Sequence, residues 1–292
     1  MNFLILEDYP FIQLEHLSYL VEKWHRLIGY NEHYDAKNID AIIINIKNID
    51  STELDKYPSL KYVCRTWVWL DMIDLAECKK RNIEVINTPW ANTNSVCDIT
   101  IWWIISLMRK TYLSFEWLDD SFNFLWKKVG ENTVAIFWFW AIGKWIYTRM
   151  KAFWVDSFYI YDPFLTTEQI AEFEFCTKSD DKEFLCKNCD IISLNLPLVK
   201  ETYHFIWEKE FALFKDDVAI ANSARWSIID EISLIEFLKK NKNAGAYLDV
   251  WENEPANPNP KLRELQNCII TPHIWAMTKS AYKRMHEFKI FM

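Results

Sequence analysis

Residues 135–143 run Ala135, Ile136, Phe137, Trp138, Phe139, Trp140, Ala141, Ile142, Gly143: an apolar strand leading directly into a helix start. The spacing Trp138-x-Trp140-x-x-Gly143 is that of a three-glycine fingerprint. In that pattern the first glycine makes a tight turn, the second lets backbone approach a pyrophosphate, and the third lets the helix pack closely on the strand. Here two of the three positions hold the bulkiest side chain available. The whole chain shows the same inversion, with sixteen tryptophans and only four glycines in 292 residues. Together they number close to the roughly 7% of glycine in an ordinary chain.

The remaining composition bounds the function classes. Half of the residues are apolar and a quarter charged, which suits one large or two ordinary globular domains. A formal charge of -8 argues against a nucleic-acid surface, which needs clustered Lys and Arg. Small anionic substrates remain possible because one or two local cations suffice. The longest apolar stretch, Ile99 to Met108, is too short to span a bilayer and predicts a buried helix. Met1 to Leu6 has no basic leader and meets Glu7 and Asp8 at once, so no signal peptide is expected. Seven cysteines without framework spacing suggest reduced thiols and a cytoplasmic protein. Cys186 and Cys189 form a single C-x-x-C without a second pair, and no metal site is expected.

Short apolar runs at Phe3–Leu6, Ala41–Ile46, Tyr62–Cys64 and Glu84–Ile86 alternate with segments of helical length. A second series has strands at Thr133–Phe137, Ser157–Tyr161, Ile191–Leu194, Val218–Asn222, Ala246–Val250 and Cys268–Thr271, with a helix at Ala141–Phe153. Strands separated by helices imply parallel sheets, so the fold class expected is α/β. Thr93 to Lys110 predicts a long helix, capped by Asn92 to Ser95 and closed by Arg109 and Lys110, and Asn253 to Pro260 predicts a loop. The strand ending at Tyr161 is followed by Asp162, nineteen residues beyond Gly143. An acid there accepts a hydrogen bond from an adenosine ribose and repels a 2'-phosphate, which favours NAD over NADP.

With these blocks stand Cys64–Asp71, Asn87–Val96, Ser193–Leu198, Asn222–Trp226, Leu248–Pro255 and Thr271–Trp275. In this order they resemble the D-2-hydroxyacid dehydrogenases, and within them most closely the D-3-phosphoglycerate dehydrogenases. The resemblance implies two doubly wound, Rossmann-like parallel-sheet domains with the active site in the cleft between them. Residues 1–92 plus 273–292 would form the substrate domain and 93–272 the NAD-binding domain. It implies catalytic Arg225, Glu254 and His273, the Arg to clamp a carboxylate and the His to exchange a proton while Glu254 fixes its tautomer. Cofactor contacts would come from Trp138, Trp140, Ala141, Ile142, Gly143, Asp162, Val96, Leu196, Pro197, Ala224 and Asp249. Substrate contacts would come from the backbone of Trp67, Val68 and Trp69, with Arg65 available to a phosphate.

The resemblance further implies hydride exchange between NAD and a small 2-hydroxyacid or 2-keto acid, with 3-phosphoglycerate in serine biosynthesis the leading substrate. Glyoxylate, hydroxypyruvate or D-lactate chemistry is the alternative within the class, and an NAD-binding sensor or corepressor without turnover the alternative outside it. Relatives commonly form homodimers or homotetramers. Met72 and Asp98 depart from the family's usual Asn and Glu, and the chain ends within an expected last helix, Lys279 to Ile290.

Trp67, Trp69, Trp90, Trp138, Trp140, Trp154, Trp226 and Trp275 fall where the family has glycine or a very small residue. The economical reading is that UGA codons meaning glycine in the source have been translated as tryptophan. Trp251 and Trp126 fit the family as they stand. A chain that literally carries the indoles is expected to fold poorly and to bind little NAD.

Overall fold

The computed structural model describes residues 1–292 except 8–11, 13, 71, 116–126, 253, 255 and 256; Trp126 and part of the Asn253–Pro260 loop therefore lie outside the described residues. The chain divides into two compact units, Met1–Asn92 with Met277–Met292, and Thr93–Ala276.

The first unit is built on strands β1 (Asn2–Ile5), β2 (Arg26–Ile28), β3 (Ala41–Ile44), β4 (Tyr62–Arg65) and β5 (Glu84–Ile86). All pair in parallel, in the order β2-β1-β3-β4-β5. Both faces are apolar because alternate side chains serve opposite cores: Leu4 packs with Ile42, Ile44 and Val63, whereas Phe3 and Ile5 pack with Ile43 and Cys64. The C-terminal segment joins the second of these cores through Phe288 and Phe291. The helix expected at Lys279–Ile290 stops at Met285, and a single tight turn, Lys289–Phe291, follows. Beyond the break, the Phe291 ring lies edge-on against Phe3 and Tyr62.

The second unit carries β6 (Val134–Phe137), β7 (Phe158–Tyr161), β8 (Cys176–Lys178), β9 (Ile191–Leu194), β10 (Ala219–Asn222), β11 (Gly245–Leu248) and β12 (Cys268–Ile270). Their order, β12-β11-β10-β9-β6-β7-β8, reverses direction between β6 and β9. That reversal is the switch point at which doubly wound sheets leave a crevice beyond the carboxyl ends of their strands. Again the period of two sorts the strand: Val134 and Ile136 face one core, Ala135 and Phe137 the other. The Thr93–Arg109 helix lies on one of these faces through Cys97, Ile101, Ile104, Leu107 and Met108. It is not buried all round as its composition suggested, since Trp102 on the opposite side is 63% exposed. Gly245 permits its close approach, because a Cβ there would stand 2.7 Å from Leu107.

The boundary expected at residue 272 falls later. Residues 273–276 belong to the second unit because Asp249 holds them: its carboxylate accepts hydrogen bonds from the amides of Ile274 at 3.0 Å and Trp275 at 2.7 Å.

Candidate functional site

Because every pairing in the seven-stranded sheet is parallel, the residues that follow each strand share one edge. Arg225 follows β10, Asp249 and Glu254 follow β11, and His273 follows β12, three neighbouring strands. His273 and Glu254 meet directly, Nδ1 to a carboxylate oxygen at 2.8 Å. Both are partly open to solvent, at 30% and 17%. With Nδ1–H donated to the carboxylate, the neutral imidazole presents Nε2 as a proton acceptor, and the imidazolium presents it as a donor. The His273 ring also lies against the Trp275 indole, centroids 5.3 Å apart. Its backbone is left-handed, with φ of 52°, a conformation sparsely populated by non-glycine residues and frequent at functional sites.

Asp249 secures that segment. Besides the two amides, it accepts the Thr271 hydroxyl, and the side chain is fully buried. Burial pushes its carboxyl above the usual range, against the opposing pull of those donors. The residue expected to touch cofactor thus acts on the His273 segment. Arg225 sits past an Asx turn in which Asn222 accepts from the Ala224 amide and donates to the Arg225 carbonyl. Ser223 is tied to Thr100 by a hydroxyl pair at 2.9 Å.

His204 is a residue that sequence reasoning passes over. Its ring lies between Glu252, 3.0 Å from Nε2, and Asp230, 3.6 Å from Nδ1. Its backbone N–H donates to the Ser227 carbonyl at 2.6 Å. These contacts link the loop after β9, the turn after Arg225 and the loop that bears Glu254. The three side chains are near enough together to hold a cation. However, carboxylates on opposite sides of one ring suit a bridging imidazole better than a shared metal. The sequence marks it only as a histidine ten residues past the end of β9.

The other half of the edge belongs to β6 and β7. Trp138 follows β6 with φ of 76°, its N–H donated to the Tyr161 carbonyl at 2.8 Å and its indole edge-on to Phe164. Trp140 is the N-cap of the Ala141–Ala152 helix, makes no side-chain capping bond and is half exposed. Ala141 and Ile142 form the first turn of that helix. At Gly143 a Cβ would stand 2.3 Å from the Trp138 carbonyl oxygen, so the close helix–strand approach is real and glycine is required there. Asp162, fully buried, accepts from the Phe139 amide at 2.8 Å and the Phe164 amide at 2.9 Å. Its carboxylate braces the turn with two of its roughly four lone-pair positions.

Val96, Leu196 and Ala224 are buried, Leu196 completely and within the core, and Pro197 is half-buried with its carbonyl accepting the Thr202 hydroxyl. In the first unit, Arg65 ends β4 and is buried, as is Trp67, and the Val68 carbonyl accepts from Asn87 at 2.5 Å. Trp69 is half-buried. Cys186 and Cys189 are buried and burial pushes both thiols up to about 12, which keeps them protonated. Among the described residues no helix is long and apolar enough to cross a membrane.

A strand, turn and helix at a switch point, with a His–carboxylate pair farther along the same edge, is an arrangement that suits a nicotinamide-dependent oxidoreductase. Residues 101–274 match the model of the D-isomer specific 2-hydroxyacid dehydrogenase NAD binding domain, and the chain belongs to that family of NAD-dependent enzymes. It is 34% identical over 264 residues to a glyoxylate reductase of Thermococcus litoralis, covering 86% of this chain and 78% of that protein. It is 33% identical over 254 residues to a D-3-phosphoglycerate dehydrogenase of Methanocaldococcus jannaschii, covering 85% of this chain. The chain spans about half, 48%, of the length of that second relative. Among solved structures, a glyoxylate reductase from Paecilomyes thermophila superposes with a TM-score of 0.82 at 25% identity, over 97% of this chain and 91% of that one.

NAD fits this edge only in part. The strand, turn and helix, Gly143 and Asp162 have the required arrangement. The tryptophans do not, because Trp140 stands at the helix N-cap, where the amides must come close to a pyrophosphate, and Trp138 holds the left-handed turn position that the first glycine fills.

Proposed function

We propose that the protein is a D-2-hydroxyacid dehydrogenase in which Arg225, Glu254 and His273 act together on a 2-keto or 2-hydroxy acid, with 3-phosphoglycerate as the substrate. The observation that carries this reading is the 2.8 Å His273–Glu254 pair on the same strand edge as Arg225. His273 holds or removes the proton of the substrate oxygen at Nε2, and Glu254 keeps the ring oriented. Arg225 offers its planar fork to the carboxylate, and its charge favours the negative charge that develops on the adjacent oxygen. The phosphoglycerate dehydrogenase relatives support that substrate, whereas 78% coverage of the Thermococcus litoralis glyoxylate reductase supports glyoxylate or hydroxypyruvate as a second reading.

The test is oxidation of NADH, followed by absorbance, on adding 3-phosphohydroxypyruvate, hydroxypyruvate, glyoxylate or pyruvate to protein isolated from its source. Preferred turnover of the phosphorylated keto acid is expected. A preference for glyoxylate selects the second reading, and NADH binding without turnover of any 2-keto acid would overturn both in favour of a sensor.

A further inference from the structure

The misfit at Trp138 and Trp140 recurs elsewhere in the fold. Among the described residues, nine non-glycine positions have left-handed backbone, and four of them are Trp24, Trp90, Trp138 and Trp154. No glycine does. This reverses the ordinary distribution, because glycine occupies this region freely and a Cβ makes it unfavourable.

Each of the four has a local reason to need glycine. The Ser18–Glu22 helix ends with the Trp24 amide donating to the Val21 carbonyl and the His25 amide to Leu20. The Ala141–Ala152 helix ends in the same way, Trp154 to Lys151 and Val155 to Met150. Both are Schellman closures, whose left-handed residue is usually glycine and sometimes asparagine. A third closure, on the Leu75–Lys80 helix, follows that rule: Asn82 donates to Lys79, Ile83 donates to Cys78, and Asn82 has φ of 56°. Trp90 follows Pro89 in a turn at φ of 67°, the proline-then-positive-φ order that type II turns fill with glycine. Trp138 is the first glycine position of the fingerprint.

Selection for an aromatic docking surface does not account for the pattern. Trp24 is 95% exposed and Trp154 84% exposed, yet they lie in different units and share only a backbone conformation. A docking surface would draw on positions where an indole sits without strain. Trp251, which fits the family as it stands, is buried with ordinary backbone.

We propose that the natural protein carries glycine at the positions of Trp24, Trp90, Trp138, Trp140 and Trp154, read from a codon that its source assigns to glycine, and true tryptophan at Trp251. With glycine at 138 and 140, the helix N-terminus is open to a dinucleotide pyrophosphate. Tandem mass spectrometry of peptides from the protein isolated from its source tests this without reference to activity. The expected spectra show glycine at all five positions and tryptophan at 251. Tryptophan at any of the five, or glycine at 251, would overturn the assignment. Because the readout is sequence, a failure of the dehydrogenase reading would leave this result untouched, and the converse also holds.

Discussion

The two halves of the seven-stranded sheet's carboxyl edge teach opposite lessons. Past β10, β11 and β12, the side chains suit the chemistry, since His273 meets Glu254 and Asp249 accepts three hydrogen bonds from the segment that carries His273. Past β6 and β7, the backbone suits a dinucleotide but the side chains do not: the turn, the 2.3 Å approach at Gly143 and the Asp162 brace surround two indoles. Chemistry that depends on functional groups is retained, and recognition that depends on the absence of a side chain is obstructed. A drifting or inactivated chain would lose both at random. A systematic change confined to glycine loses only the second.

The largest effect should come from the half proposed to be catalytic. His273→Ala, in the glycine-bearing protein, is expected to lower kcat by roughly 10²–10⁴ with little change in NADH affinity, measured by stopped-flow and fluorescence titration. Glu254→Gln should give a smaller loss in kcat. If His273→Ala left kcat intact, the catalytic half would have to be redrawn.

A second contrast sets the two units apart in acid. Burial holds His286 of the smaller unit down to about 4, and its Nδ1 lies 2.7 Å from the Tyr282 carbonyl. A histidine depressed in the folded state favours the neutral ring, so its contribution is intact above the unfolded value near 6.5. It is lost progressively as pH falls from there through 4, to a total on the order of 3 kcal/mol. Acid titration followed by hydrogen exchange should show residues 1–92 opening first, and His286→Gln should flatten that dependence between pH 6.5 and 4. An unchanged profile in the variant would remove His286 from the account.

The helix closures give a smaller effect. Trp154→Gly and Trp24→Gly, made in the chain as written, should each raise the urea midpoint by an amount equivalent to about 1 kcal/mol, by relief of left-handed strain. Asn82→Trp should lower it by a similar amount. If Trp154→Gly destabilised the chain, the indole would be making a contact that outweighs its backbone.

Much of this is legible in the sequence, for physical reasons. Strands buried on both faces are continuous apolar runs, so the pattern places β9 to the residue and most of the others to within one or two. Edge strands β2 and β8 escape it, whereas the equally short edge strand β5 does not. Arg225, Glu254 and His273 are visible as residues just past strands, but only folding brings Glu254 and His273 to 2.8 Å. The His204 bridge spans 26 and 48 residues and leaves no periodic trace. The resemblance marks Asp249 as a cofactor contact, and the fold adds that it holds backbone amides beside His273, because a carboxylate's partners cannot be read from its position. The tryptophan pattern is visible as a count, and backbone φ adds Trp24, which resemblance alone does not mark.

Calorimetric titration of NADH into two forms of the chain, one as written and one carrying W138G and W140G, tests the central claim that this edge is a dinucleotide site closed only by two indoles. The account predicts heat of binding at micromolar NADH for the double variant and none for the chain as written. Equal binding by both forms, or by neither when circular dichroism shows both folded, would contradict it.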